Sequence, residues 1–161
     1  MIQPHHYELS AQEMQMVIDS TILRISESYR QKHNPATTYE RTLSQLFEEN
    51  IMGCKGEIAW AGIRGVPWHN PVNEFHNIPD DGVNEIRTTR TKYLINRNND
   101  AKDRRYVLAT IDGHIVTFHG WAWGKDIQVD KYYGNPHGHR PCWMMPIKDL
   151  RQITFKKDLV K

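Results

Sequence analysis

Between Ala11 and Gln31, the residues Met14, Val17, Ile18, Thr21, Ile22, Ile25 and Tyr29 recur at intervals of three and four, the spacing of one helix face. Ser10 precedes them as an N-cap, and Glu13 completes a capping box. The pattern predicts an amphipathic helix, broken by Asn34-Pro35. Thr37 or Thr38 then caps a second helix through Leu43, Leu46 and Phe47, ending near Asn50. After Gly53 a third helical pattern follows, with Cys54, Ile58, Ala59 and Ala61 small enough for close packing and Glu57 placed among them.

From Trp68 to Gly82 the composition turns to Pro, Asn, His and Gly, which predicts an irregular loop. Beyond it the period becomes two. Glu85–Thr89, Tyr93–Asn96, Arg105–Thr110 and Ile115–Trp121 are strand candidates, and Asp112-Gly113 supplies a hairpin turn between the last two. Lys125–Tyr133 fits a short helix without requiring one, Cys142–Met145 a final strand, and Ile147–Ile153 a terminal helical turn. Helices first and strands afterwards predict a single α+β domain over residues 1–161, its helical part at 10–50 followed by a mixed, mainly antiparallel sheet.

The longest apolar stretches, Ile58-Ala59-Trp60-Ala61 and Tyr106-Val107-Leu108-Ala109, fall far short of the roughly 20 residues of a membrane span. Met1–Ser10 carries no basic start and no apolar block, so no secretory signal is read and a cytoplasmic location is expected. Cys54 and Cys142 are expected to stay thiols there. The net charge of +2 conceals a reversal: residues 1–85 hold 6 basic and 12 acidic side chains, residues 86–161 hold 15 and 7. A basic second half suits a polyanion such as nucleic acid.

Three acids stand where packing does not explain them: Glu57 in a helix expected to be buried, Asp80 after Pro79, and Glu85 at the start of a strand. Buried carboxylates cost several kcal/mol unless paired or bound to metal. A hard cation such as Mg²⁺ or Mn²⁺ would relieve their mutual repulsion and suits phosphodiester hydrolysis. Alternation along the strand puts Glu85 and Arg87 on one face.

Pro79-Asp80, then Glu85-Ile86-Arg87, with Glu57 in a Gly-x-x-Gly-Glu helix, resembles the PD-(D/E)XK nuclease superfamily, particularly its small phage-encoded members. Leu94-Ile95-Asn96-Arg97-x-x-Asp100, Tyr106-Val107-Leu108 and Gly120-Trp121 are similar to the strands that follow the site in those proteins. The resemblance implies a restriction-endonuclease-like core over residues 53–155 and a DNA-binding, magnesium-dependent hydrolase of the host cytoplasm. It also implies Glu57 as the helix acid, Asp80 and Glu85 as metal ligands, and Arg87 in the usual lysine position. Asp81 is a rival ligand to Asp80. A guanidinium cannot act as a base, so Arg87 is expected to stabilise charge on the phosphoryl group.

Arg90, Lys92, Arg97, Lys102, Arg104 and Arg105 form a basic run suited to a phosphate backbone, DNA being expected over RNA. Phe118, Trp121, Trp123 and Trp143 are expected under the sheet rather than against bases. The cluster His137-Gly138-His139-Arg140-Pro141-Cys142, with Cys54 or His76, invites a zinc reading, but its spacing matches no structural zinc pattern and a polar loop is preferred. His76 is also placed to meet substrate phosphate. The alternative to a nuclease is a catalytically silent relative that binds nucleic acid or blocks a host protein; a homodimer through the N-terminal helices stays open.

Overall fold

The first helix begins as its capping box requires: Glu13 N donates to Ser10 Oγ (3.1 Å) and Ser10 N to Glu13 Oε2 (2.8 Å). The computed structural model describes residues 1–30, 42–69, 83–136, 138 and 140–155. Helix α1 spans Ala11–Arg30, and its buried side is Val17, Ser20, Thr21, Arg24 and Ile25. Ile18 and Ile22, expected inside, lie half exposed, while Arg24 is buried in their place.

The second and third expected helices are one helix, α2, over Leu43–Arg64. Its N-cap is Thr42, in a full capping box with Gln45, whereas Thr37 and Thr38 lie outside the described residues. Helix α2 runs unbroken through residues 50–53, where sequence suggested an end. An interior glycine costs a helix only about 1 kcal/mol, and the packing of Cys54, Ile58, Ala59, Trp60 and Ala61 outweighs it. Gly56 is required for another reason: a Cβ there would collide with Thr88 Oγ1 and press on Ile86.

Among the described residues, seven strands form two sheets: β1 (His5–Glu8), β2 (Asn84–Thr88), β3 (Tyr93–Asn96), β4 (Arg105–Asp112), β5 (Ile115–Trp123), β6 (Tyr133–Gly134) and β7 (Cys142–Pro146). The first sheet has the order β1-β5-β4-β2 and the second β3-β7-β6. Pairing is antiparallel except between β2 and β4, which run parallel with Glu85 opposite Tyr106 and Arg87 opposite Leu108. The α+β class is therefore observed, with β1 and β6 additions that the sequence pattern did not reveal. The hairpin between β4 and β5 turns through Gly113 and His114. Residues Gly124–Ile127 form a single helical turn, α3, and 3₁₀ turns occupy Asp130–Tyr132 and Ile147–Asp149.

Two apolar clusters sandwich the first sheet. Ile86, Val107, Ala109, Val116 and Phe118 meet Val17, Cys54, Ile58, Ala59 and Trp60 of the helices. On the opposite side Tyr106, Leu108 and Ala122 meet Leu94, Met145 and Leu150. A bulge between Leu108 and Ala109 leaves His119 unmatched, so Phe118 pairs Ala109 while Gly120 pairs Leu108. Among the described residues no helix is long and apolar enough to cross a membrane.

Candidate functional site

Glu57 projects from α2 toward α1 and is held by Arg24 in a fork: Nη1 donates to Oε1 (3.1 Å) and Nη2 to Oε2 (2.7 Å). Trp68 Nε1 donates to the same Oε2 (3.3 Å), and the Arg24 guanidinium lies 5.8 Å from the centre of the Trp68 ring. The pair is dry, with side-chain exposures of 3% for Arg24 and 10% for Glu57. Bidentate geometry and burial make this the strong kind of ion pair.

Alternation along β2 sends Ile86 and Thr88 toward α2, and Glu85 and Arg87 to the opposite face, beside Tyr106. The shared face expected for Glu85 and Arg87 is thus observed. Arg87 stacks on the Tyr106 ring (5.1 Å) and donates from Nη2 to Asp100 Oδ1 (2.6 Å), with Glu85 Oε1 at 3.6 Å. Arg104 Nη1 reaches Glu85 Oε2 at 3.4 Å. Burial pushes the Glu85 carboxyl above its ordinary value of 4.5; Arg87 and then Arg104 oppose the rise, while Asp100 and Glu57 add to it.

That shift sets a pH dependence. Glu85 is neutral in both folded and unfolded chains below pH 4.5, and as pH climbs from there through the raised value the folded state bears the cost of ionising it. Wild-type stability should therefore fall relative to a Glu85→Gln variant across that window and run parallel to it above. Thermal melts of both proteins between about pH 4 and 8 read this directly; parallel curves throughout would mean that Glu85 titrates normally.

Asp80, Asp81 and His76 lie outside the described residues. Among the described residues, no group of three His, Cys, Asp or Glu side chains could hold a metal ion. The chemistry of the donors agrees with this. Glu57 is taken by Arg24, and Glu85 lies between Arg87 and Arg104, so a divalent cation would have to displace guanidinium groups to reach the same oxygens. The described part of the expected metal set does not by itself fit Mg²⁺ or Mn²⁺. The repulsion among these acids is instead relieved by arginines.

Two members of the cluster escaped the sequence reading as site residues. Arg24 left a trace, as a charge flanked by Thr21 and Ile25 on a helix face otherwise fit for burial. Asp100 closes an Asn-Asn-Asp turn, where an acid ordinarily signals nothing more than a loop. Its carboxylate ties Arg87 to the backbone N of Arg97 (2.7 Å), and its carbonyl accepts from Gln128 Nε2 (2.8 Å).

The basic run divides by partner. Arg104 belongs to the Glu85 cluster, and Arg90 pairs with Glu48 on the surface. Lys92, Arg97 and Lys102 form no ion pair among the described residues; Lys92 instead joins burial and His6 in lowering the His119 pKa. Arg105 stacks 3.9 Å from the Trp121 ring centre. Phe118 is fully buried, as expected, while Trp121, Trp123 and Trp143 keep partial exposure. His137 and His139 lie outside the described residues. Cys54 and Cys142 are free and buried, and burial pushes both thiols up, which disfavours the thiolate that zinc needs.

No family model, curated protein or solved structure matches this chain. The PD-(D/E)XK resemblance accordingly rests on its motif residues alone.

Proposed function

We propose that the protein binds nucleic acid through its basic second half and that the Glu85 cluster is a structural charge network that shapes this surface. One observation carries the reading: Arg87 and Arg104 are paired with Asp100 and Glu85, whereas Arg97 and Lys102, on the loop that Asp100 anchors, have no ion pair among the described residues. Unpaired cations on a pinned loop are what a phosphate backbone requires.

Fluorescence anisotropy with labelled DNA at about 50 and 200 mM salt tests it. The expected result is binding that weakens steeply with salt, with DNA left intact in Mg²⁺. No binding to DNA or RNA at the lower salt overturns the proposal and favours a protein target. A second reading, metal-dependent phosphodiester cleavage by Glu57, Asp80, Glu85 and Arg87, is favoured by Glu85 and Arg87 sharing a face within the field of Glu57. Mg²⁺- or Mn²⁺-dependent cleavage by the wild type, lost in Glu85→Ala, would establish that reading and end the account of Glu85 as purely structural.

A further inference from the structure

Next to the Glu85 network, at the end of the first sheet, Lys102, Asp103, Trp123 and Lys125 line an open pocket of about 350 Å³. Its walls come from two segments, the loop after β3 and the start of α3, and their spacing is fixed by backbone. Lys125 N donates to Lys102 O (2.8 Å) and Gly124 N to Arg104 O (2.9 Å). A Cβ on Gly124 would strike the Ala101 carbonyl, so only glycine lets the two segments approach this closely. The loop is pinned from behind by Tyr106 Oη donating to Ala101 O (3.2 Å) and by the Asp100 contacts. The backbones of Lys102 and Lys125 are therefore held side by side.

The pocket has a flat aromatic wall and surplus positive charge. Trp123 is partly exposed and meets Trp121 edge-on, ring centres 5.9 Å apart. Arg105, opposite Trp123 in the strand register, stacks on Trp121 and sits 5.8 Å from the Trp123 ring centre. Its Nε is buried with no acceptor among the described residues, and its guanidinium has no ion pair there. Asp103 is the acid of the wall, set against Lys102 and Lys125.

An indole face beside uncompensated cations matches the chemistry of a nucleotide: a π-face to stack and a phosphate to neutralise. We propose that this pocket is a subsite for one unpaired nucleotide of a single strand, its base on Trp123 and its flanking phosphates on Lys102 and Lys125. A duplex hides the faces of its bases, so the site selects single strands. The inference rests on the nucleic-acid-binding reading and specifies the form of nucleic acid that is bound.

Anisotropy titrations with a labelled single-stranded DNA of about 12 nucleotides, the RNA of the same sequence and the matching DNA duplex test it, alongside circular dichroism of each variant. The single strands should bind about tenfold or more tighter than the duplex. Trp123→Ala should weaken single-strand binding by about tenfold or more, and Trp123→Phe should retain most of it. The double variant Lys102→Ala/Lys125→Ala, which leaves the ring in place, should reduce the log–log salt slope by roughly 1.4. Equal affinity for duplex and single strand, or an unchanged affinity in a folded Trp123→Ala, overturns the subsite and leaves general binding standing. Absence of binding to every probe at about 50 mM salt removes both.

Discussion

Replacing Arg24 with methionine should lower stability by about 3–5 kcal/mol, because it leaves Glu57 as a buried charge without its partner. For a chain of 161 residues that corresponds to a fall of roughly 6–20 °C in Tm. Methionine keeps most of the arginine's volume, so cavity formation is a minor part of the loss. The pair has 3% and 10% exposure, leaving little water to screen it. The double variant Arg24→Met/Glu57→Leu should recover most of the loss, because apolar replacement of both partners removes the desolvation penalty along with the attraction. Thermal denaturation of the four proteins of the cycle measures the coupling. A single-variant loss below about 1 kcal/mol would place the pair among water-screened surface bridges.

Asp100→Ala should cost about 2–4 kcal/mol in urea denaturation. The carboxylate accepts two charge-assisted bonds, from Arg87 Nη2 at 2.6 Å and Arg97 N at 2.7 Å, each typically contributing about 1.5–3 kcal/mol. Side-chain exposures of 28% for Arg87 and 15% for Asp100 hold the sum below the upper end of that range. Asp100→Asn keeps an oxygen for the Arg97 amide and should cost roughly half as much. Loosening this turn also frees the loop that carries Lys102, so Asp100→Ala should weaken oligonucleotide binding although Asp100 touches no ligand. Wild-type stability in Asp100→Ala would show that Glu85 alone suffices to hold Arg87.

The elements whose period was unambiguous could be read from residues alone. The Ser10–Glu13 box, the Tyr93–Asn96 strand and the alternation from Arg105 to Trp121 all describe local chemistry that tertiary contacts reinforce. What sequence could not show was partner choice. Glu57 faces Arg24, 33 positions earlier, and Arg87 faces Asp100, 13 positions later. Both depend on how α1 lies on α2 and how a turn folds under β2. The expectation of a helix end near Asn50 and a new start after Gly53 failed because propensity is weak beside packing. Strand β1 is short, rich in histidine, and its pairing partner β5 lies more than a hundred residues away.

The unmatched His119 has a consequence for cooperativity. Without an extra residue, Phe118 and Ala122 would share a face by parity, yet the bulge commits Phe118 to the helical side and Ala122 to the other. Strand β5 thus enters the two apolar interiors in succession, Phe118 in one and Ala122 in the other, and its neighbour β4 enters both by simple alternation, through Tyr106 and Val107. Neither interior can open while the other stays shut, so heat should melt the two layers together, in a single calorimetric transition.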